Sequence, residues 1–269
     1  MDVKQSADEH YQKAISLSTK KWYSFIYDHT DSYKAVSHFV KAANLYKLER
    51  DVDSSVKSFE QAAMLEDNAF TSAQYYDNAA ELLKNTDKVK TQELVNLAVK
   101  RYTTIGRFDY AAKSLQNLLN HQDPLELYLK MVDLYQLSNK IYEKFMCYQK
   151  IIDIYLDTEN FIAVLPLLDE MITHYRQTRY ETSSEQHIVS YMVIYFYLHH
   201  QHLDDVKNKL KLYYPTPTWI DNVIRLYEYK DDAYDSIVRK QCLKQWQTGL
   251  LLNIKLDTVD TAIEDEDFR

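Results

Sequence analysis

Glycine stands at only two of 269 positions, Gly106 and Gly249, and this scarcity limits the fold more than any motif does. Sheet proteins need tight turns with positive φ, a conformation that glycine adopts at least cost. With 2 glycines and 4 prolines the chain lacks residues for those turns, so an all-α fold is predicted. The same scarcity excludes a Walker phosphate loop, a dinucleotide fingerprint and a nucleophile elbow, each of which uses paired glycines. No Ser–His–Asp or Cys–His arrangement is legible, and the chain reads as a non-enzyme without a cofactor. Of His199, His200 and His202 only the first and last share a helix face, so they read as a polar helix-end cluster rather than a metal site.

A net charge of −8 and a pI near 5.6 exclude a general nucleic-acid binder, which needs a surplus of Lys and Arg. No apolar run approaches the ~20 residues of a membrane span, and Met1 to Lys21 holds no signal-peptide block, so a cytoplasmic protein is expected. Cys147 and Cys242 are too few for a disulfide framework and read as buried small hydrophobes. The 24 tyrosines read as amphipathic residues at the edge of a helical core.

Tyr11, Ala14 and Ile15 mark a first helix from Ser6 to about Ser18. The segment KKWYSFIYDHTDS, near 20–32, then sets Trp22, Tyr23, Phe25, Ile26 and Tyr27 behind two lysines with no polar helical face. It reads as an apolar loop, either tucked against the first helices or exposed as an interfacial anchor. Four later segments, KAANLYK, QAAMLE, NAAELLK and YAAKSL, each hold a pair of alanines among larger residues. Such pairs let helices approach closely, and their spacing of one helix or one hairpin is that of a helical solenoid.

Helix caps are expected at Thr30 or Asp31, at Asp51 or Asp53, at Asp87, and at Asp123 before Pro124. Further helices are expected near Leu125 to Leu137, Ile141 to Leu156 and Asn160 to Arg176, with Pro166 kinking the last or delaying its start. Apolar and aromatic residues cover several faces from Ser184 to His200, the pattern of a helix at the centre of a bundle. Three shorter helices follow the YYPTPTW bend, and Leu243, Trp246, Leu250 and Ile254 form one stripe in the last. The strict tetratricopeptide consensus, a Trp-Leu-Gly-Tyr pattern every 34 residues, is not met, so the repeats are degenerate; the expected fold is a right-handed, tetratricopeptide-like solenoid of helical hairpins over 1–180, a compact helical bundle over 181–256 and an acidic tail over 257–269.

Two segments bear on function. RYTTIGRFDYAAKS places Arg101, Arg107 and Lys113 around one helix-turn-helix, a candidate basic face whose plainer alternative is a solvated charged surface. The final EDEDFR joins four acids to Phe268 and reads either as a solvating tail or as a ligand for a basic surface, with Phe268 filling a pocket.

RYTTIGRFDYAAK, the ending from QW through LLLNIK to the acidic stub, KAANLYK, KLKLYYP and the WYSFIY loop together resemble the soluble NSF attachment proteins, in particular the alpha/beta type and its yeast counterpart. The resemblance covers nearly the whole chain. It implies a non-enzymatic adaptor that binds a syntaxin-type four-helix SNARE complex through a basic face, touches the membrane by its N-terminal loop, and recruits the AAA+ ATPase NSF for SNARE disassembly in vesicle fusion. On that resemblance the SNARE-binding candidates are Arg101, Arg107, Lys113, Lys144 and Lys150. The membrane-contacting candidates are Lys20, Lys21, Trp22, Tyr23, Phe25, Ile26 and Tyr27. The NSF-binding candidates are Glu228, Asp231, Asp232, Glu264, Asp265, Glu266, Asp267 and Phe268. The implied location is cytoplasmic and peripheral to membranes. This sequence departs from the family where a second basic position aligns nearest Met146, with Lys144 and Lys150 close by, and where Phe268 replaces the usual Leu. The alternative is a mimic or tetratricopeptide-like peptide scaffold that engages SNAREs or NSF without productive disassembly. A divergent protist homologue and a bacterial effector acting in host cytosol both stay open as sources.

Overall fold

The alanine pairs decide where helices meet: Ala42, Ala43, Ala62, Ala63, Ala79, Ala80, Ala111 and Ala112 are all fully buried. The computed structural model describes residues 3–19, 29–178, 181–213 and 217–254. Its helices are α1 (Val3–Thr19), α2 (His29–Leu48), α3 (Val52–Leu65), α4 (Ala69–Leu83), α5 (Lys88–Thr104), α6 (Phe108–Leu115) and α7 (Pro124–Leu137). There follow α8 (Ile141–Asp157), α9 (Phe161–Gln177), α10 (Glu181–His199), α11 (Leu203–Leu212), α12 (Thr218–Glu228), α13 (Tyr234–Lys240) and α14 over 245–254. Every regular element among the described residues is helical, as the glycine count requires.

Each helix from α1 to α7 packs on the next in sequence, so contacts are made between neighbours and the architecture is a tetratricopeptide-like solenoid. The chain divides into two compact units, residues 1–151 and 152–269, with the division inside α8. That point precedes the boundary expected near 180, because α9 packs along α10 and belongs with it. In the first unit one core runs through Phe59, Tyr76, Leu94, Tyr102, Leu118 and Met131. In the second, α10 buries Ile188, Tyr191, Met192, Val193, Ile194 and Phe196 on several faces, as expected of a central helix.

The turns explain how so little glycine suffices. Among the described residues five helices end on a residue with positive φ: Arg50 (60°), Gly106 (71°), Asn139 (54°), Glu159 (55°) and Lys230 (52°). After each, the next residue's N–H bonds back to a carbonyl five positions earlier, Asp51 to Tyr46 (2.9 Å), Arg107 to Tyr102 (2.9 Å), Lys140 to Tyr135 (2.9 Å), Asn160 to Tyr155 (2.8 Å) and Asp231 to Leu226 (2.9 Å). This is the Schellman closure, usually built on glycine. Here three of the five corners place Arg, Glu or Lys in the left-handed region and hold them there by the double closure, and a buried tyrosine stands one turn before the left-handed residue at Arg50, Gly106 and Asn139. Tyr46, Tyr102 and Tyr135 are all buried.

Asp51, Asp87 and Asp123 cap α3, α5 and α7 through their carboxylates, the last with Pro124 in the first helical turn. Asn68 caps α4 by accepting from Phe70 and Thr71, a cap not foreseen. Because α2 already begins at His29, Asp31 lies inside its first turn and pairs with Lys34 at 3.5 Å instead of capping. Pro166 sits within α9 without delaying its start at Phe161. Leu250 and Ile254 of α14 are buried and Trp246 is half-buried, as the stripe predicts, with Leu251 buried beside them, whereas Leu243 precedes the helix. Cys147 is buried, but Cys242 is exposed, contrary to expectation, because residues 241–244 form an irregular link between α13 and α14.

Candidate basic site

Gly106 turns α5 into α6 so tightly that Arg107 is already the residue before the first turn of α6. A Cβ on Gly106 would meet nothing within 4 Å, so the positive φ alone selects glycine there. Arg107 leaves the corner with its guanidinium 5.1 Å from the ring centre of Phe70 and 4.4 Å from that of Tyr110. Its Nε donates to Asp109 Oδ1 at 3.4 Å. Lys113, three residues beyond Tyr110 on the same helix, places Nζ 5.4 Å from the same ring. Tyr110 thus carries both cations, at the distances where the quadrupole of an aromatic face attracts positive charge.

The ring itself is fixed from behind. Phe70, Tyr102 and Tyr110 form a three-ring cluster with centroids 4.8 to 5.6 Å apart, Phe70 meeting both tyrosines edge-on. Beneath them Asp77 accepts hydrogen bonds from the Ser114 hydroxyl and the Tyr102 phenol. Burial pushes the Asp77 carboxyl above its usual range, and the two donors partly oppose that. Burial raises the Tyr102 phenol as well, and the neighbouring Asp77 adds to it. The result is a half-exposed, oriented guanidinium with an exposed ammonium beside it, suited to carboxylates on a partner surface.

Of the other sequence-predicted residues, Arg101 is exposed in the last turn of α5 and Lys150 is exposed on α8. Lys144 does not join them. It is 6% exposed, its Nζ donates to Gln136 Oε1 at 2.6 Å, and it lies over the rings of Phe145 and Tyr148. The reason is phase: Lys144, Tyr148 and Ile151 share the stripe of α8 that faces the core, while Tyr142, Met146 and Lys150 face out. Tyr142 and Met146 are 65% and 69% exposed, so the position nearest the family's second base presents an apolar step.

Glu228 accepts from Lys207 Nζ at 2.6 Å, Asp231 closes the corner after α12 by accepting from the Ala233 N–H, and Asp232 is exposed. His200 bonds through Nδ1 to the Tyr197 carbonyl at 2.8 Å, and the ring of His199 lies 4.4 Å from that of Tyr195. Lys20, Lys21, Trp22, Tyr23, Phe25, Ile26 and Tyr27 lie outside the described residues, as do Glu264, Asp265, Glu266, Asp267 and Phe268. Sequence reading missed Phe70, Asp77, Tyr110 and Ser114. Tyr110 was within reach of it, standing three residues from each cation on a helix face; Phe70 and Asp77 come from a different helix and gave no signal.

Among the described residues no helix is long and apolar enough to cross a membrane. A solenoid of helical hairpins with an exposed cation pair defines a tetratricopeptide-like helical-repeat protein. The model of the family described as soluble NSF attachment protein, SNAP, matches residues 5–202, and the chain belongs to that family of non-enzymatic adaptors. No curated protein matches the chain. Among solved structures, that of BtubC (BKLC) from P. vanneervenii is similar at 11% identity, with a TM-score of 0.40 over 87% of this chain and 94% of that one.

Proposed function

We propose that the protein is an adaptor for SNARE-complex disassembly, with the pair Arg107 and Lys113 gripping acidic residues on the side of a four-helix SNARE bundle. The observation that supports this reading most is the shared seat of the two cations on Tyr110, held by Phe70 and Asp109, in a chain of the SNAP family. A solvated charged face has no need of an aromatic support that restricts its arginine. In this reading the exposed Arg101 and Lys150 add to the contact, whereas the buried Lys144 does not. The aromatic segment Lys20 to Tyr27 serves as the membrane contact, and the acidic end Glu264 to Phe268 as the ligand of an NSF-type AAA+ ATPase, with Asp231 and Asp232 as a second acidic contact. Such contacts suit transient engagement, in which charge governs the rate of association.

The test is to mix the protein with an assembled SNARE complex and NSF and to measure SNARE binding, ATP hydrolysis and disassembly. Replacing Arg107 and Lys113 together by Glu should weaken SNARE binding by about a hundredfold or more and flatten its salt dependence. Deleting 264–269 should leave SNARE binding intact and remove ATPase stimulation. If the unaltered protein binds neither partner, the reading is lost. The exposed apolar step of Tyr142 and Met146 favours a second reading, a scaffold with altered partner choice; SNARE binding without disassembly would select it.

A further inference from the structure

The second unit carries a cavity of about 530 Å³ between the start of α10, the start of α12 and the link from α13 to α14. Its walls are of two kinds. Trp219, Pro217, Val189 and Leu243 supply apolar surface, and Lys240 and Lys244 stand on the rim. Among the described lining residues Glu185 is the one carboxylate, against the two ammonium groups of Lys240 and Lys244. The floor is rigid: Gln247 accepts from the Lys244 N–H at 2.9 Å and donates to Ser190 Oγ at 3.1 Å, which fixes the first turn of α14 against α10. Accepting that N–H from the third helical position is half of a capping box, and it sets where Lys244 stands.

We infer that this cavity is a docking site for the chain's own acidic C-terminal segment, with Phe268 in the apolar part and the carboxylates of Glu264 to Asp267 against Lys240 and Lys244. Three points on the molecule favour that occupant over another. The segment joins a run of four acids to one large apolar side chain, matching a cavity that joins two lysines to an aromatic and aliphatic wall. The volume lies in the range that takes a side chain with its neighbours. The chain also reaches: from Ile254 to Phe268 it spans up to about 46 Å extended, while Lys244 lies only about 15 Å back along α14. Tethering supplies an effective concentration of order mM, so even a weak contact is largely formed within one molecule.

Docking does not depend on what the segment does elsewhere, but its consequence rests on the reading of that segment as the ATPase ligand. A docked Phe268 is withheld from any partner. The cavity then acts as a brake, released when a partner with a stronger basic surface captures the end. Freeing the segment should raise its apparent affinity for such a partner about two- to tenfold, the inverse of the fraction already free.

The test uses the full chain with a nitroxide spin label on Cys242, which lines the cavity and is exposed. Cys147 does not compete, since it is buried and its thiol is pushed up to about 11. Amide NMR signals of residues 264–268 should broaden in the labelled protein and recover in the double variant Lys240→Glu, Lys244→Glu and in Phe268→Ala. Both lysines are exposed, so the reversal does not threaten the fold. Unbroadened signals in the unaltered chain overturn the proposal, as does broadening that survives charge reversal. Broadening that appears only when isotope and spin label are on different molecules also overturns it, because the segment then binds a second copy. ATPase recruitment is measured separately: if neither the unaltered nor the reversed protein recruits NSF, the ATPase reading fails while the broadening result stands.

Discussion

The two glycines make opposite demands, and one substitution applied to both tests the account of the turns. Gly106 has φ of +71° and ends α5; Gly249 lies inside α14; neither has an atom within 4 Å of where a Cβ would stand. Steric clash therefore contributes nothing at either site, and only backbone preference remains. At Gly106 an alanine is forced into the left-handed region at a cost of about 1–2 kcal/mol, offset by about 0.5–1 kcal/mol from the smaller entropy of its unfolded chain. Gly106→Ala should thus destabilise by about 1 kcal/mol. At Gly249 the helix already provides the conformation alanine prefers, so Gly249→Ala should stabilise by about 1 kcal/mol. Units of this size shift in Tm by about 2–5 °C per kcal/mol, which calorimetry resolves. Glu159→Gly completes the set: its φ of 55° and exposed side chain make it the converse of Gly106→Ala, and it should stabilise by about 0.5–1 kcal/mol. If both alanine variants shift Tm in the same direction, or Glu159→Gly lowers it, the left-handed corners are not what limits glycine in this chain.

Two titrations give further checks. His38 Nδ1 lies 2.8 Å from His10 Nδ1, and burial first, then Lys13, His10 and Lys41, hold its pKa below the ordinary 6.5. The folded state therefore binds fewer protons than the unfolded one in that window, so stability is full above pH 6.5 and is lost as pH falls through the folded value. His38→Gln should flatten the fall in Tm on acidification. Asp77 has the opposite sign: its folded pKa is raised by burial, so the folded state binds the extra proton and stability declines as pH rises from 3.8 through the folded value. Asp77→Asn should abolish that decline while leaving an acceptor for Ser114 and Tyr102, and a steeper decline would refute the assignment.

Much of the fold was legible because helix packing and capping are local. Alanine pairs, the caps at Asp51, Asp87 and Asp123 and the stripe of Trp246, Leu250 and Ile254 in α14 are each set by residues within a few positions of one another, and the structure places them as their spacing requires. The corners were only partly legible. Gly106 announces a left-handed residue, but Arg50, Glu159 and Lys230 do not, since nothing in their side chains favours positive φ. At Arg50 and Glu159 a signal lay one turn earlier, in Tyr46 and Tyr155, which stand four residues before the left-handed position as Tyr102 and Tyr135 do before Gly106 and Asn139; Lys230 follows Leu226 and has no such signal. Those tyrosines were read only as core-edge residues. At the Arg50 corner the buried Tyr46 carries the carbonyl that the Schellman bond needs, so packing supports there a turn that Gly106 makes through its own freedom of φ.

The basic site divides in the same way. Lys113 and Lys150 were recognisable as outward-facing, because Ala111, Ala112, Ser114 and Leu115 around the first, and Ile151 and Tyr148 around the second, define the buried phase of their helices. That reasoning also condemns Lys144, four residues before Tyr148 and seven before Ile151 and therefore on the core stripe. Proximity to a family position outweighed phase in the sequence reading, and phase was the physically stronger argument. An ammonium can enter a core stripe only if its nitrogen finds an acceptor, and Gln136, on the preceding helix, provides it at 2.6 Å. A lysine so held stabilises the α7–α8 hairpin and offers no charge to a partner. The basic surface is consequently strongest at α6 and, on α8, falls to Lys150 beside the apolar Met146.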